Sequence, residues 1–348
     1  RQARPSRTDK NGRLSHAGKK IWRSRYLYLL LLPTFVWYIV FMYAPLYGAQ
    51  IAFRDFMPAL GITGGKWVGF KYFIQFFKSE YFVRLMKNTL GISVYSIVVG
   101  FPIPVILALL MNEVRSKYFK KGVQTIVYMP HFISAVVVVS LINAMLSPSN
   151  GLFNQIIQMF GGDPVHFMAE PKYFKTVYVL SDIWQTAGYG SIVYLAALTS
   201  IDPSLYEAAT VDGASKWKKL LHITLPCILP TIMTMLILRM GSIFTVGYEK
   251  IMLMYNPATY ETADVISTYV YRRAFEGGEY SFSAAVGLFN SVINFIVIIV
   301  FNKISKQTNF KFLYDQETVN KAPRVSFDIK NASLKQILGE ITSQAKLY

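Results

Sequence analysis

Two ionisable side chains, Asp182 and Arg239, stand inside long apolar stretches of this sequence and most demand a chemical reason for their placement. A charge at the centre of a membrane helix costs about 2.5 to 3.5 kcal/mol even on a lenient insertion scale, so each should face a polar interior. Counted along helices, Asp182 falls roughly 9 Å and Arg239 roughly 13 Å from the outer ends of their stretches, so the two could meet at similar depth. Two readings are open: a buried structural ion pair, or an arginine that reads a carboxylate or hydroxyl pair in bidentate fashion. Asn143, Trp184, Gln185, Tyr189, Tyr248, Glu249, Asn290 and Asn294 extend the candidate binding surface. For Trp184 and Tyr189, an interfacial or packing role is the plainer alternative.

Bond-making chemistry finds no support in the chain. Its one cysteine, Cys227, excludes an internal disulfide, and His16, His131, His166 and His222 lack metal-ligand spacing. No Ser, His and Asp constellation or carboxylate pair converges by spacing, so neither a catalytic site nor a metal site is expected. The nearest approach to a nucleotide-binding loop, Gly64-Gly65-Lys66-Trp67, has the wrong spacing.

The elements that must position these residues follow from composition. Of 348 residues 53% are hydrophobic and only 16% charged, yet the net charge is +17, a pairing expected where apolar spans alternate with basic loops. The basic residues lie beside apolar runs and not along a groove-sized patch, which argues against nucleic-acid binding. Six stretches are long enough to cross the bilayer: Leu27 to Ala44, Asn88 to Met111, Gln124 to Ser147, Thr176 to Leu198, Pro226 to Gly247 and Ala284 to Phe301. All read as helices, because lipid-exposed backbone must satisfy its hydrogen bonds within its own segment. The termini and the loops on their side hold 24 Lys and Arg, the opposite loops 11, which puts both termini in the cytoplasm of a multi-pass membrane protein. Trp67 and Trp217 fall outside the hydrocarbon as interfacial anchors.

The inside loop of residues 200–226 carries the most specific pattern. Asp202 is a good N-cap with Pro203 at the first helical position, Gly213 supplies a sharp turn, and an amphipathic piece from Ala214 precedes Pro226, which is expected to open the fifth span. Ala208 and Ala209 permit close approach, and Glu207 offers a carboxylate to a partner. The spacing of Glu207-Ala208-Ala209, Gly213, Ile223 and Leu225-Pro226 resembles the EAA loop of binding-protein-dependent ABC importer permeases at every defining position. Trp184, Gly188, Tyr189, the run Tyr255-Asn256-Pro257 and the run from Tyr260 to Arg272 are similar to the oligo- and polysaccharide branch of the maltose-type permeases. So is Pro45-Leu46-Tyr47-Gly48 with Phe53-Arg54-Asp55-Phe56.

The resemblance implies an all-α, MetI-like type I importer permease fold, with five core spans after one peripheral helix. It assigns ATPase coupling to Glu207, Ala208, Ala209, Asp212 and Gly213; an importer also needs a polar pathway between helices, for which the polar residues above are the candidate sugar contacts. Aromatic faces with planar hydrogen-bonding side chains suit sugar rings. It further implies a second permease, two ATPase subunits that carry ATP and Mg, and an extracytoplasmic sugar-binding protein landing on residues 45–87 and 248–283. If Arg239 reads a carboxylate, a uronate-containing oligosaccharide is favoured. The competing class is an ion-coupled symporter, which a single intramembrane Asp and no visible repeat disfavour. The chain divides into a basic leader (1–26), the six-helix domain (27–314) and a tail (315–348). In the tail, Val325 to Ile329 alternates like a strand and Ser333 to Ala345 reads as an amphipathic helix. Three readings of the tail stay open: a regulatory appendage touching the ATPases, a partner contact, and a non-native extension.

Overall fold

The computed structural model describes residues 24–307, so the strand and helix expected after Tyr314, like most of the leader, lie outside the described residues. Among the described residues the chain is helical apart from one antiparallel bridge between Arg54 and Trp67. The helices are α1 (Arg25–Tyr38), α2 (Lys71–Phe77), α3 (Phe82–Tyr95), α4 (Pro102–Glu113), α5 (Lys117–Tyr128), α6 (Ala135–Leu146), α7 (Leu152–Met159) and α8 (Pro171–Thr199). They continue with α9 (Pro203–Val211), α10 (Lys216–Lys219), α11 (Leu225–Met240), α12 (Tyr248–Met254), α13 (Tyr260–Ala263), α14 (Ile266–Tyr271) and α15 (Tyr280–Gln307).

Among the described residues, four continuous helical runs are long and apolar enough to cross a membrane: Arg25–Phe53, Phe82–Glu113, Lys216–Met240 and Tyr280–Ser305. They cover the first, second, fifth and sixth expected spans. The fourth, α8, has 29 residues, but Asp182, Gln185 and Thr186 dilute its apolar character at mid-length. Residues buried on several of its faces, from Phe174 to Leu198, show how it tolerates that polarity: protein, not lipid, surrounds much of it.

Two expectations are corrected. The third span is not one helix: Lys117–Phe132 and Ala135–Leu146 meet at 103°. Pro130 sits in a 3₁₀ turn, Met129–Phe132, and the Ser134 hydroxyl accepts a weak cap bond from the Val137 N–H at 3.4 Å, so a new helix starts where the first stops. The fifth span, in turn, is not opened by Pro226. The chain runs from Lys216 through a π-turn, Leu220–Thr224, into α11, where Pro226 occupies a tolerated first-turn position, and the helix ends at Met240 rather than Gly247.

Two compact units divide the described residues. One holds residues 24–82 and 269–290. No side chain of α1 is buried, as suits a helix solvated by lipid. Beyond it, Phe53 stacks on Trp67 with ring centres 5.5 Å apart, and the Asp55 carboxylate accepts hydrogen bonds from Lys71 Nζ at 3.0 Å and from the Tyr72 hydroxyl. Those two donors, Tyr72 first, hold the Asp55 carboxyl below its ordinary value. Phe76, Phe82, Phe282 and Phe289 form an aromatic cluster in the same unit.

The other unit, residues 83–268 and 291–307, is organised on α8. Near one end Phe174, Tyr178 and Val179 pack with Ile92, Val139, Val246 and Ile251; near the other Tyr194 and Leu198 pack with Val105, Ala108 and Ile228. Between them α5 passes so close that a Cβ on Gly188 would lie 1.9 Å from the carbonyl oxygen of Val127. Only glycine fits there.

Candidate functional site

A cavity of about 440 Å³ opens within the second unit, in the size range of small-ligand sites. Asp182 and Thr186 reach it from α8 one turn apart, as i and i+4 spacing dictates, and Tyr178 lies a turn before them. Ser93 and Ser96 contribute hydroxyls after α3 begins, Arg239 comes from the last turn of α11, and Ser242 and Thr245 follow it. Apolar side chains such as Ile92, Ile183 and Met235 complete the wall. Hydroxyls and opposite charges on an apolar background are what a polyhydroxylated ring requires.

Asp182 and Arg239 thus share one cavity, but they do not pair. The nearest cation to Asp182 is Lys250 of α12, whose Nζ stands 3.9 Å from Oδ1. Among the described residues the Arg239 side chain makes no ion pair or hydrogen bond. Lys250 is buried, donates to Gln185 Oε1 at 3.5 Å, and lies 5.5 Å from the centre of the Tyr178 ring. Sequence reasoning missed it because it falls beyond the expected end of the fifth span; the only signal was a lysine directly followed by apolar Ile251, Met252 and Leu253.

The other candidates go elsewhere. Gln185 Nε2 donates to the carbonyl of Ile133 at 3.1 Å, satisfying backbone exposed by the break in the third span. Tyr189 stacks on His131 with ring centres 4.0 Å apart and meets Phe132 edge-on, on the same break. Trp184 lines a separate apolar pocket of about 420 Å³ with Leu141, Met145 and Phe153. Asn294 binds the segment after α11, its Oδ1 accepting from the Phe244 N–H and its Nδ2 donating to Thr245 Oγ1, both at 3.0 Å. Asn143, Tyr248 and Glu249 are exposed, and Asn290 belongs to the first unit, its Oδ1 buried without a hydrogen bond.

The loop of residues 200–226 folds as its residues predict. Asp202 Oδ1 accepts from the Ser204 N–H at 2.9 Å, which holds the carboxyl below its usual value, and Pro203 begins α9. At the far end Gly213 adopts φ 72°, and the Gly213 and Ala214 N–H groups donate to the Thr210 and Ala209 carbonyls at 3.1 and 2.8 Å. This double closure terminates a helix with a left-handed residue. Tyr206 reaches back to Thr224 and Lys219 to Thr210, so α9 is fastened to the start of the fifth span. Glu207, Ala208 and Asp212 remain exposed, and with Leu205 and Val211, the latter 87% exposed, they present a small-residue face with apolar flanks.

Comparison with known proteins is consistent with this arrangement. The sequence profile of binding-protein-dependent transport system inner membrane components matches residues 100–309. The chain is 42% identical to the polygalacturonan/rhamnogalacturonan transport system permease protein YteP of Bacillus subtilis (strain 168) over 295 residues, 85% of this chain and 92% of that one. It is equally identical to Protein LplB of the same organism over 85% of this chain and 91% of that one. Among solved structures, a chain of a bacterial ABC transporter involved in the import of the acidic polysaccharide alginate superposes with a TM-score of 0.77 at 47% identity, covering 84% of this chain and 99% of that chain. A second structure of bacterial alginate ABC transporter, in complex with alginate pentasaccharide-bound periplasmic protein, matches with a TM-score of 0.76 at 47% identity, over 83% of this chain and 96% of that one.

Proposed function

The chain belongs to the family of binding-protein-dependent transport system inner membrane components, and on that premise we propose that it is one permease half of an ATP-driven importer for uronate-containing oligosaccharides. The observation that carries this reading is the unpaired guanidinium of Arg239 on a hydroxyl-lined cavity. An arginine fork matches a planar carboxylate in bidentate geometry, and a neutral sugar gives it less to hold. The names of the similar permeases, for polygalacturonan/rhamnogalacturonan and for alginate, support the same substrate class; the symporter reading gains nothing from them.

In this reading the chain itself is no enzyme. The exposed residues Glu207 and Ala208 of α9, with half-buried Ala209 and the closing turn at Asp212 and Gly213, dock on an ATPase subunit, and the energy comes from ATP and Mg held by two such subunits. A second permease completes the pathway in the bacterial inner membrane, and a sugar-binding protein delivers substrate from outside. Residues 27–314 form the permease domain, with both termini cytoplasmic. ATP-driven approach of the ATPases moves α9 and, through its fastenings to the fifth span, the helix that carries Arg239.

Purification of the tagged complex tests the coupling: Glu207→Arg should release the ATPases while the permease pair stays together, and unaltered ATPase recovery would refute the docking role. Uptake into proteoliposomes tests the substrate. A uronate oligosaccharide should be transported, and its methyl ester, which lacks the charge but keeps the ring, should compete at least about tenfold less well. Equal competition by the ester overturns the role given to Arg239.

A further inference from the structure

We propose that Lys250 is a positioning residue for Arg239: by holding the charge of Asp182, it keeps the guanidinium free for a substrate carboxylate. This deepens the reading above and rests on Arg239 being the carboxylate reader. The cavity region contains one carboxylate and two cations, so whichever cation holds Asp182 leaves the other available. The distances assign Asp182 to Lys250. Nζ lies 3.9 Å from Oδ1, while Asp182 and Arg239 border the same cavity without pairing.

The surroundings of Lys250 fix that choice. Its side chain is 8% exposed and is absent from the cavity wall, so it acts on the cavity through Asp182 rather than by touching a ligand. Gln185 is held by its Nε2 to the Ile133 carbonyl, which leaves Oε1 directed at the ammonium at 3.5 Å. The Tyr178 ring offers its face at 5.5 Å. The broken third span thus orients an amide, the amide steadies the ammonium, and the ammonium occupies the carboxylate. Without Lys250, the Asp182 carboxylate, its side chain 30% exposed, would have no cation paired with it, and Arg239 would be the cation left on that cavity to neutralise it. The net charge offered to a ligand would fall from one positive charge to none.

The test uses the assembled importer in proteoliposomes with its binding protein, measuring the half-saturating concentration of a uronate oligosaccharide. Lys250→Met should raise it by about tenfold or more, the scale of one charge-assisted contact. Adding Asp182→Asn to Lys250→Met removes the carboxylate that would capture Arg239 and should restore the value to within about threefold of the parent. A double variant as weak as the single one overturns the proposal; since losing both charges also relieves a merely structural pair, the deciding readout is the preference for the uronate oligosaccharide over its methyl ester, which should collapse in Lys250→Met and return in the double variant. If Lys250→Met does not assemble, Lys250→Gln, which keeps the stem and a donor for Gln185, is measured with and without Asp182→Asn against the same criterion. Arg239→Met separates the two levels of argument. If it leaves uptake unchanged, the carboxylate-reading role itself fails; if it abolishes uptake while Lys250→Met has no effect, only the positioning role fails.

Discussion

The Tyr206 hydroxyl lies 2.9 Å from Thr224 Oγ1, joining the exposed helix α9 to the last residue of the π-turn that leads into α11. Thr224 is buried and its hydroxyl also donates to the Lys219 carbonyl at 3.3 Å, so the bond anchors α9 to a fixed point. Tyr206→Phe removes only the hydroxyl, at a cost of about 1 kcal/mol. The expected phenotype is an assembled complex whose ATP turnover continues while sugar moved per ATP falls. Parallel assays of hydrolysis and uptake check this, and an unchanged ratio would count against α9 as a lever.

Gly213 closes α9 at φ 72°, in a region where a side chain costs roughly 1 to 2 kcal/mol. Space is not the obstacle, since a Cβ at that position would meet nothing within 4 Å. Gly213→Ala should therefore loosen the end of the helix without disturbing the membrane part. Hydrogen exchange should rise in residues 203–214 alone, with weaker recovery of the ATPases on purification.

Gly188→Ala should behave in the opposite way, since the added methyl meets the Val127 carbonyl at 1.9 Å, backbone that cannot swing aside. Overpacking of this kind typically costs about 1 to 3 kcal/mol. Thermal stability of the purified complex should drop by several degrees, and Gly188→Ser should be no better. A variant of normal stability would mean that α5 and α8 can separate at little cost.

Asp55 supplies a pH dependence whose sign is set. Its carboxyl is held below the ordinary value of about 3.9 by the Tyr72 and Lys71 donors, so the folded state favours the ionised form. The stabilising contribution is whole above the ordinary carboxylate value and disappears as pH falls through the lowered one. Exchange in residues 53–72 should stay slow near neutrality and accelerate only in strong acid. In Asp55→Asn that segment should exchange faster already at neutral pH and lose this acid step.

What could be read from residue order was governed by local rules. The N-cap at Asp202, the turn at Gly213 and the apolar lengths of the first, second and sixth spans depend on neighbours a few residues away, and the structure has them. The break in the third span was harder: Pro130, His131 and Ser134 stand inside a run whose averaged hydropathy still passes for one span, and hydropathy is blind to direction. The site was half legible. Asp182 and Arg239 declared themselves by their cost in an apolar stretch, and they do share a cavity. Their failure to pair could not be foreseen, because the competing cation, Lys250, arrives on α12 after the chain has turned at residues 241–247. Gln185, Asn294 and Tyr189 show the same limit: their side-chain chemistry suits a sugar, but Ile133, Phe244 and His131 engage them first.

The 103° angle in the third span changes what kind of motion that segment can transmit. A straight rod passes on thrust along its length. A bent one works as a crank, since twisting one arm about its own axis sweeps the other through an arc. With α6 about 18 Å long, a twist of roughly 10° in α5 carries the far end of α6 sideways by about 3 Å, comparable to the width of a sugar ring.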